Sequence, residues 1–339
     1  MKVVGFGDLL VRLGPSGYRR FLQAEQFEVN YTGAEANVCV ALSQMGIDAH
    51  FVTRIPNNAI AQCAVACLNK FGVDTDGIVY GGDRIGVYYV EKGASQRPSR
   101  VIYDRMHTAI CEAGPEHFAW ATLLKGASCF HFTGITAALS DTMPAVLLDA
   151  LKCAKEAGVM IFCDLNYRKK LWTTQSAGHV MSELLPWVDV LIANEEDADK
   201  VLGIRAANSD IDNGQLSREG YANVARQLQQ RFGCKYVAIS LRKSISASDN
   251  DWSIMLYNGK EAIFSREYRI HLVDRVGGGD AFAAGLIYAL GMGYDDRYAV
   301  EFASAASCLK QTIEYDFNLV SVSEIEQLVH GSGSGRVER

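Results

Sequence analysis

Asp274-Arg-Val-Gly-Gly-Gly-Asp280-Ala-Phe-Ala-Ala-Gly285 places three consecutive glycines directly before an acid that opens an apolar helix. Glycines have no Cβ, so their N–H groups can crowd round an anion, and the positive end of the following helix adds to the pull. Phe282, Gly285, Leu286, Ala289 and Leu290 recur behind the acid at helical spacing, so the segment reads as loop, then helix. A carboxylate fixed beside an anion site has a chemical use if it takes the proton of a hydroxyl that attacks a phosphoryl group. Asp280 is the candidate base, and Gly277, Gly278 and Gly279 are the candidate phosphate nest. Taken alone, the pattern fits equally a glycine turn followed by an ordinary first-turn acid.

The elements that must carry this loop alternate between strand and helix. Residues 3–6 read as a strand, 34–45 as a helix ended by Gly46, and 58–71 as a helix stopped by Gly72. Residues 159–165, 188–193 and 236–241 are apolar runs of strand length, as in parallel strands covered on both faces. Helices follow over 279–290 and 297–309. This repetition predicts an α/β fold, a doubly wound Rossmann-like sheet with helices on both faces and ligands beyond the carboxyl ends of its strands. Residues 27–31, 86–91 and 100–105 break the alternation and predict a small β-sheet lid, contributed by about 9–33 and 86–106. Residues 1–330 then form a single domain, and the Gly-Ser run in 331–339 predicts a flexible tail.

Composition narrows the partner. Of 339 residues, 49% are hydrophobic and 21% charged, which suits a globular chain. A net charge of −6 gives no general attraction to nucleic acid or acidic membranes, so a small molecule is expected instead. Nine cysteines without metal-site spacing, and no apparent secretory leader, lead to the expectation of a reduced, cytoplasmic setting. The seven histidines also lack ligand spacing. Val4-Gly-Phe-Gly7 could suggest a dinucleotide fold, but the third glycine of that fingerprint would fall at Leu10.

The glycine–Asp loop resembles the carboxyl-terminal Asp-Thr-x-Gly-Ala-Gly-Asp signature of the ribokinase-like (PfkB) sugar kinases. Thr32-Gly-Ala-Glu-Ala-Asn37 resembles that family's amino-terminal Gly-Gly-x-x-x-Asn. Asp164-Leu-Asn-Tyr-Arg168, His131-Phe-Thr-Gly-Ile-Thr136 and Tyr103-Asp-Arg105 look like its 2-keto-3-deoxygluconate kinase branch. The similarity runs from about Val3 to Leu328. It implies a ribokinase-like fold, dependence on ATP and Mg²⁺, and phosphorylation of a sugar-acid hydroxyl; a homo-oligomer is also expected. 2-Keto-3-deoxygluconate would give its 6-phosphate, and a neutral sugar, as in fructokinase or ribokinase, is the alternative.

The resemblance also implies site residues. Gly33, Asn37, Tyr88, Tyr103, Arg105 and Arg168 would meet the sugar, and so would Asp316, although a loop Asp can equally cap a turn. Asn166, Ser240 and Arg242 would face ATP. Arg168, whose fork suits a carboxylate or a phosphate, could serve either substrate. Asn194-Glu-Glu-Asp197 stands where the family has Asn-x-x-Glu, making Asp197 the metal candidate unless it only favours a helix dipole. Arg275 replaces the usual Thr or Pro, and Ser240-Leu-Arg-Lys-Ser244 lacks the Gly-x-x-Gly that normally follows near the nucleotide.

Overall fold

The apolar runs form strands whose successive side chains feed two separate cores. In strand Lys2–Phe6, Val3 packs on one side of the sheet, while Val4 and Phe6 pack on the other. In Met160–Asp164 the same split separates Phe162 from Ile161 and Cys163. Burial on both faces is what parallel strands between helices require. The structure, a computed structural model, describes residues 1–210 and 216–331, so the expected flexible tail lies, beyond Gly331, outside the described residues.

Six parallel strands run in the order Asp48–Val52, Lys2–Phe6, Cys129–Thr133, Met160–Asp164, Val190–Ala193 and Tyr236–Ser244. Asp249–Tyr257 adds antiparallel to the last of these and carries Ala262–Phe264 and Tyr268–His271. The doubly wound sheet matches the expectation from sequence. Its antiparallel extension does not follow from the alternation, and it explains why strand 236–241 runs on to Ser244, where it pairs with Asn250. The expected helices appear as Ala34–Gln44, Ala59–Lys70, Gly278–Gly291 and Asp296–Lys310. The sheet order reverses at Lys2–Phe6, whose two neighbours lie on opposite sides in the chain's path, so a crevice opens beyond its carboxyl end.

Over this crevice lies a four-stranded sheet ordered Glu28–Thr32, Leu10–Gly14, Gly86–Glu91 and Arg100–Asp104. Its pleat sorts side chains by face. Asn30, Arg12, Tyr88 and Tyr103 form one cross-strand row, with Arg12 and Tyr88 buried. Val29, Leu13, Tyr89 and Ile102 form the row on the opposite face, where Val29 and Ile102 are exposed. The Tyr88 and Tyr103 rings stack with centroids 5.7 Å apart.

The small sheet is fastened to the carboxyl-terminal part of the chain through Arg12. Its guanidinium bonds Asp274 at 2.6 Å and also Asp316, and all three side chains are buried. Asp316 further accepts from the Tyr88 hydroxyl, and Tyr315 donates to Glu28. Arg12→Met should therefore leave two buried carboxylates without their cation and cost about 3–5 kcal/mol in urea unfolding. An unchanged midpoint and slope would show that the triad does not hold the two parts together.

Candidate active site

Strand ends deliver the side chains of a cleft of about 410 Å³ between the main sheet and the small one. Lys2–Phe6 leads into Asp8, and Met160–Asp164 into Asn166 and Arg168. Val190–Ala193 leads to Asn194 and Glu195, and Tyr236–Ser244 supplies Ser240 and Arg242. Gly33 and Asn37 come from the start of helix Ala34–Gln44, and Gly277, Gly278, Gly279 and Asp280 from the start of Gly278–Gly291. Tyr88, Tyr103, Arg105 and Asp316 close the opposite wall. Asp197 is the expected site residue that does not line the cleft. Its two oxygens accept from the backbone N–H of Tyr167 and Asn194 at 3.3 and 3.2 Å, so it braces two strand ends from behind.

Asp280 sits half-buried at the floor of this cleft. Asn37 fixes its orientation. The Asn37 Oδ1 accepts from Thr32 Oγ1 at 2.8 Å, so Nδ2 must be the atom that donates to Asp280 Oδ2, at 2.7 Å. Desolvation by the surrounding walls is the main force lifting the Asp280 pKa to about 7. The Asn37 bond and Arg168 oppose that rise, and the charges of Asp316 and Glu35 add to it. A carboxylate near neutrality can hold or release a proton at working pH.

The three glycines differ. Gly277 alone has left-handed backbone, with φ of 84°, and a Cβ there would meet the Asp316 carbonyl oxygen at 2.1 Å. Gly278 is buried, and its Cβ would lie 3.1 Å from Gln311 Cγ. At Gly279 a Cβ would meet nothing within 4 Å, because that position faces the cleft. The N–H groups of Gly279 and Asp280 precede the first helical bond, from Ala281 N to Gly277 O at 2.9 Å, and so belong to the free donors of a helix start.

The wall arginines are arranged otherwise than their spacing suggests. Arg105, expected to meet a substrate carboxylate, is already paired in a buried bridge to Asp8 at 2.8 Å, which leaves its Nε without a partner. Asp316 and Tyr88, also expected as sugar contacts, line the cleft, with Asp316 accepting from both Arg12 and Tyr88. Among the described residues Arg168 makes a single hydrogen bond, to the Tyr167 carbonyl at 3.1 Å, and no ion pair. Arg242 pairs with Glu195 at 2.9 Å. Arg275 reaches Ser246 O and Asn250 Oδ1, both at 3.5 Å, and burial followed by the nearby Arg242 lowers its pKa.

Sequence reasoning passed over several of these groups. Asp8 and Asp164 each stand at or just past the end of a buried strand, a position that could have marked them. Asp164 is buried, and desolvation, then the charges of Asp197 and Asp280, push its pKa up. Glu35 accepts three bonds on Oε1, from Thr133 N, Thr133 Oγ1 and Thr136 Oγ1, and nothing in its local pattern announces this.

With this geometry in hand, comparison with known proteins is specific. Residues 2–314 match the family model described as pfkB family carbohydrate kinase. A 2-dehydro-3-deoxygalactonokinase of Haloferax volcanii is 31% identical, with 98% of each chain covered. A 2-dehydro-3-deoxygluconokinase of Thermoproteus tenax is 27% identical over 97% of this chain and 94% of its own. The crystal structure of 2-dehydro-3-deoxygluconokinase from Thermotoga maritima superposes with a TM-score of 0.94 at 52% identity, covering 98% of this chain and 100% of that one.

The glycine geometry yields a contrast. Gly279→Ala should fold normally, since its methyl points into open space, yet raise the Michaelis constant for ATP by about tenfold or more by obstructing a phosphate. Gly277→Ala should instead lower the melting temperature, since it meets both a backbone clash and an unfavourable φ. Equal melting temperatures and equal ATP constants for the two variants would show that the run is only a flexible turn.

Proposed function

The chain belongs to the pfkB family of carbohydrate kinases, and we propose that it phosphorylates 2-keto-3-deoxygluconate at the terminal hydroxyl, giving the 6-phosphate. The carrying observation is Arg168, a cation in the cleft without an ion-pair partner among the described residues. A neutral sugar would leave that fork unmatched, whereas a sugar acid brings a carboxylate that suits it. The names of the relatives point to the same class of substrate. A neutral-sugar kinase remains the second reading, since a fructokinase from Oryza sativa is also 25% identical.

In this reading Asp280 takes the proton of the sugar hydroxyl as its oxygen attacks the γ-phosphorus of ATP. The new O–P bond forms while the bond to the bridging oxygen breaks, and ADP leaves with that electron pair. The N–H groups of Gly279 and Asp280 receive the charge that gathers on the transferring group. Arg242 and Arg275, with Ser240 and Asn166, face the remaining phosphates. Arg105 offers its unpartnered Nε to a sugar oxygen, and Asp8 accepts from a sugar hydroxyl.

Magnesium arriving with the nucleotide would offset the negative charge of its phosphates. Glu195 Oε2, a buried oxygen without a partner, and the Asp164 carboxylate fit that ion better than Asp197. The small sheet serves as a lid over the sugar. Its outer row, Val29, Leu13, Tyr89 and Ile102, of which Val29 and Ile102 are exposed, suits contact with a second copy in a homo-oligomer. A cytoplasmic setting agrees with nine free cysteines and with the lack, among the described residues, of a helix long and apolar enough to cross a membrane.

Two measurements test the reading. Because the base must be ionised and its pKa stands at about 7, kcat/KM should climb with pH and level off above about 7. Asp280→Asn should lose about two to four decades of turnover together with that limb, while still binding ATP. Second, wild-type enzyme should prefer keto-deoxy sugar acids over fructose or ribose, and Arg168→Ala should erase most of the preference. Equal use of neutral sugars, unaffected by Arg168→Ala, would favour the second reading.

A further inference from the structure

One buried charge beneath the glycine loop takes no part in the steps above. Lys310 ends helix Asp296–Lys310, and its side chain is fully buried. Its Nζ donates to three backbone carbonyls, Asp274 O at 3.2 Å, Ile313 O at 3.4 Å and Tyr315 O. A neutral amine has two N–H donors and an ammonium has three, so three carbonyl acceptors match the charged form. Burial lowers its pKa, which the carboxylates of Asp274 and Asp316 oppose, while the nearby Arg12 charge lowers it and Asp280 raises it.

The position of this ammonium gives it a role. Asp274 opens the glycine loop, and Tyr315 is a left-handed residue, with φ of 63°, just before Asp316. A methyl built on Gly277 would stand 3.1 Å from Lys310 Cε, so the side chain passes directly under the residue that caps helix Gly278–Gly291. Backbone carbonyls converging on one centre are also how proteins replace the hydration shell of a potassium ion. We infer that Lys310 is a built-in monovalent cation: its ammonium fills a ring of carbonyls, turns the Asp274 carbonyl away from the nest, and adds positive charge beneath the phosphate site. It is a positioning residue that acts through the loop. The enzyme therefore needs no dissolved potassium or ammonium to shape its anion site.

The inference rests on the glycine loop being the phosphate site, and the experiment keeps the two apart. Wild-type enzyme is assayed with tetramethylammonium as the sole monovalent cation, then with potassium, ammonium or sodium added. Rates should agree within about twofold, whereas activation by potassium of about tenfold or more overturns the inference. Lys310→Ala removes the ammonium and leaves the carbonyls. Its Michaelis constant for ATP should rise about tenfold or more, with a smaller change for the sugar, and potassium or ammonium should restore most of the loss while lithium should not. A folded Lys310→Ala enzyme with an unchanged ATP constant, or one that no cation restores, makes the lysine purely structural. If that variant fails to fold, the wild-type cation series decides alone. Gly279→Ala reports on the underlying reading: an unchanged ATP constant there removes the phosphate site itself, whatever the cations do.

Discussion

Arg12 sets the geometry on which the cleft depends. Its planar fork extends one nitrogen to Asp274 and the other to Asp316, so a strand of the small sheet, the glycine loop and the 311–316 loop meet at one guanidinium. Burying these charges is costly, and it succeeds because each is answered: two carboxylates by Arg12, with the Lys310 ammonium close beneath. Such a cluster contributes little net stability over apolar packing, but it admits few alternative arrangements. The glycine loop is accordingly held from two directions, by Arg12 on the Asp274 carboxylate and by Lys310 on the Asp274 carbonyl.

Several buried polar groups left without partners face the cleft where ligands would come. Arg105 Nε, Arg242 Nε, Arg275 Nε, Asn250 Nδ2 and Trp252 Nε1 are buried donors without acceptors, and all five residues line the cleft. In most proteins such groups are satisfied internally, so their gathering in one place marks a surface built to be completed by something else. The acids beside them act differently. Asp280 is raised towards neutrality mainly by its walls, and the remaining acids keep it there against the pull of Arg168.

Features fixed by local chemistry were legible in the sequence. The glycine–Asp loop needs particular residue types at particular spacing, and the buried parallel strands need apolar runs; the loop-then-helix form and the strands both appear as expected. Partnerships between distant charges were not legible. Arg105 lies 97 residues from Asp8, and Arg12 lies 304 from Asp316, so no local pattern could reveal that these groups neutralise one another. Strand Leu10–Gly14 was hard to see for a related reason, since its single charged residue faces inwards to meet those partners. The left-handed conformation falls on Gly277, where a side chain would also meet the Asp316 carbonyl, and the three glycines of the run look alike in sequence.

The 304-residue separation also has a consequence for how the protein is made. A ribosome releases Arg12 and its strand long before Asp274, and Asp316 emerges only near the end of synthesis. Until then the inner face of the small sheet carries a guanidinium that cannot be buried without its partners. Local strand pairing can form early, but its docking must wait for residues that close a loop of nearly the whole chain. A nascent chain truncated before Asp274 thus lacks both partners of Arg12, and that guanidinium must stay in water until they arrive.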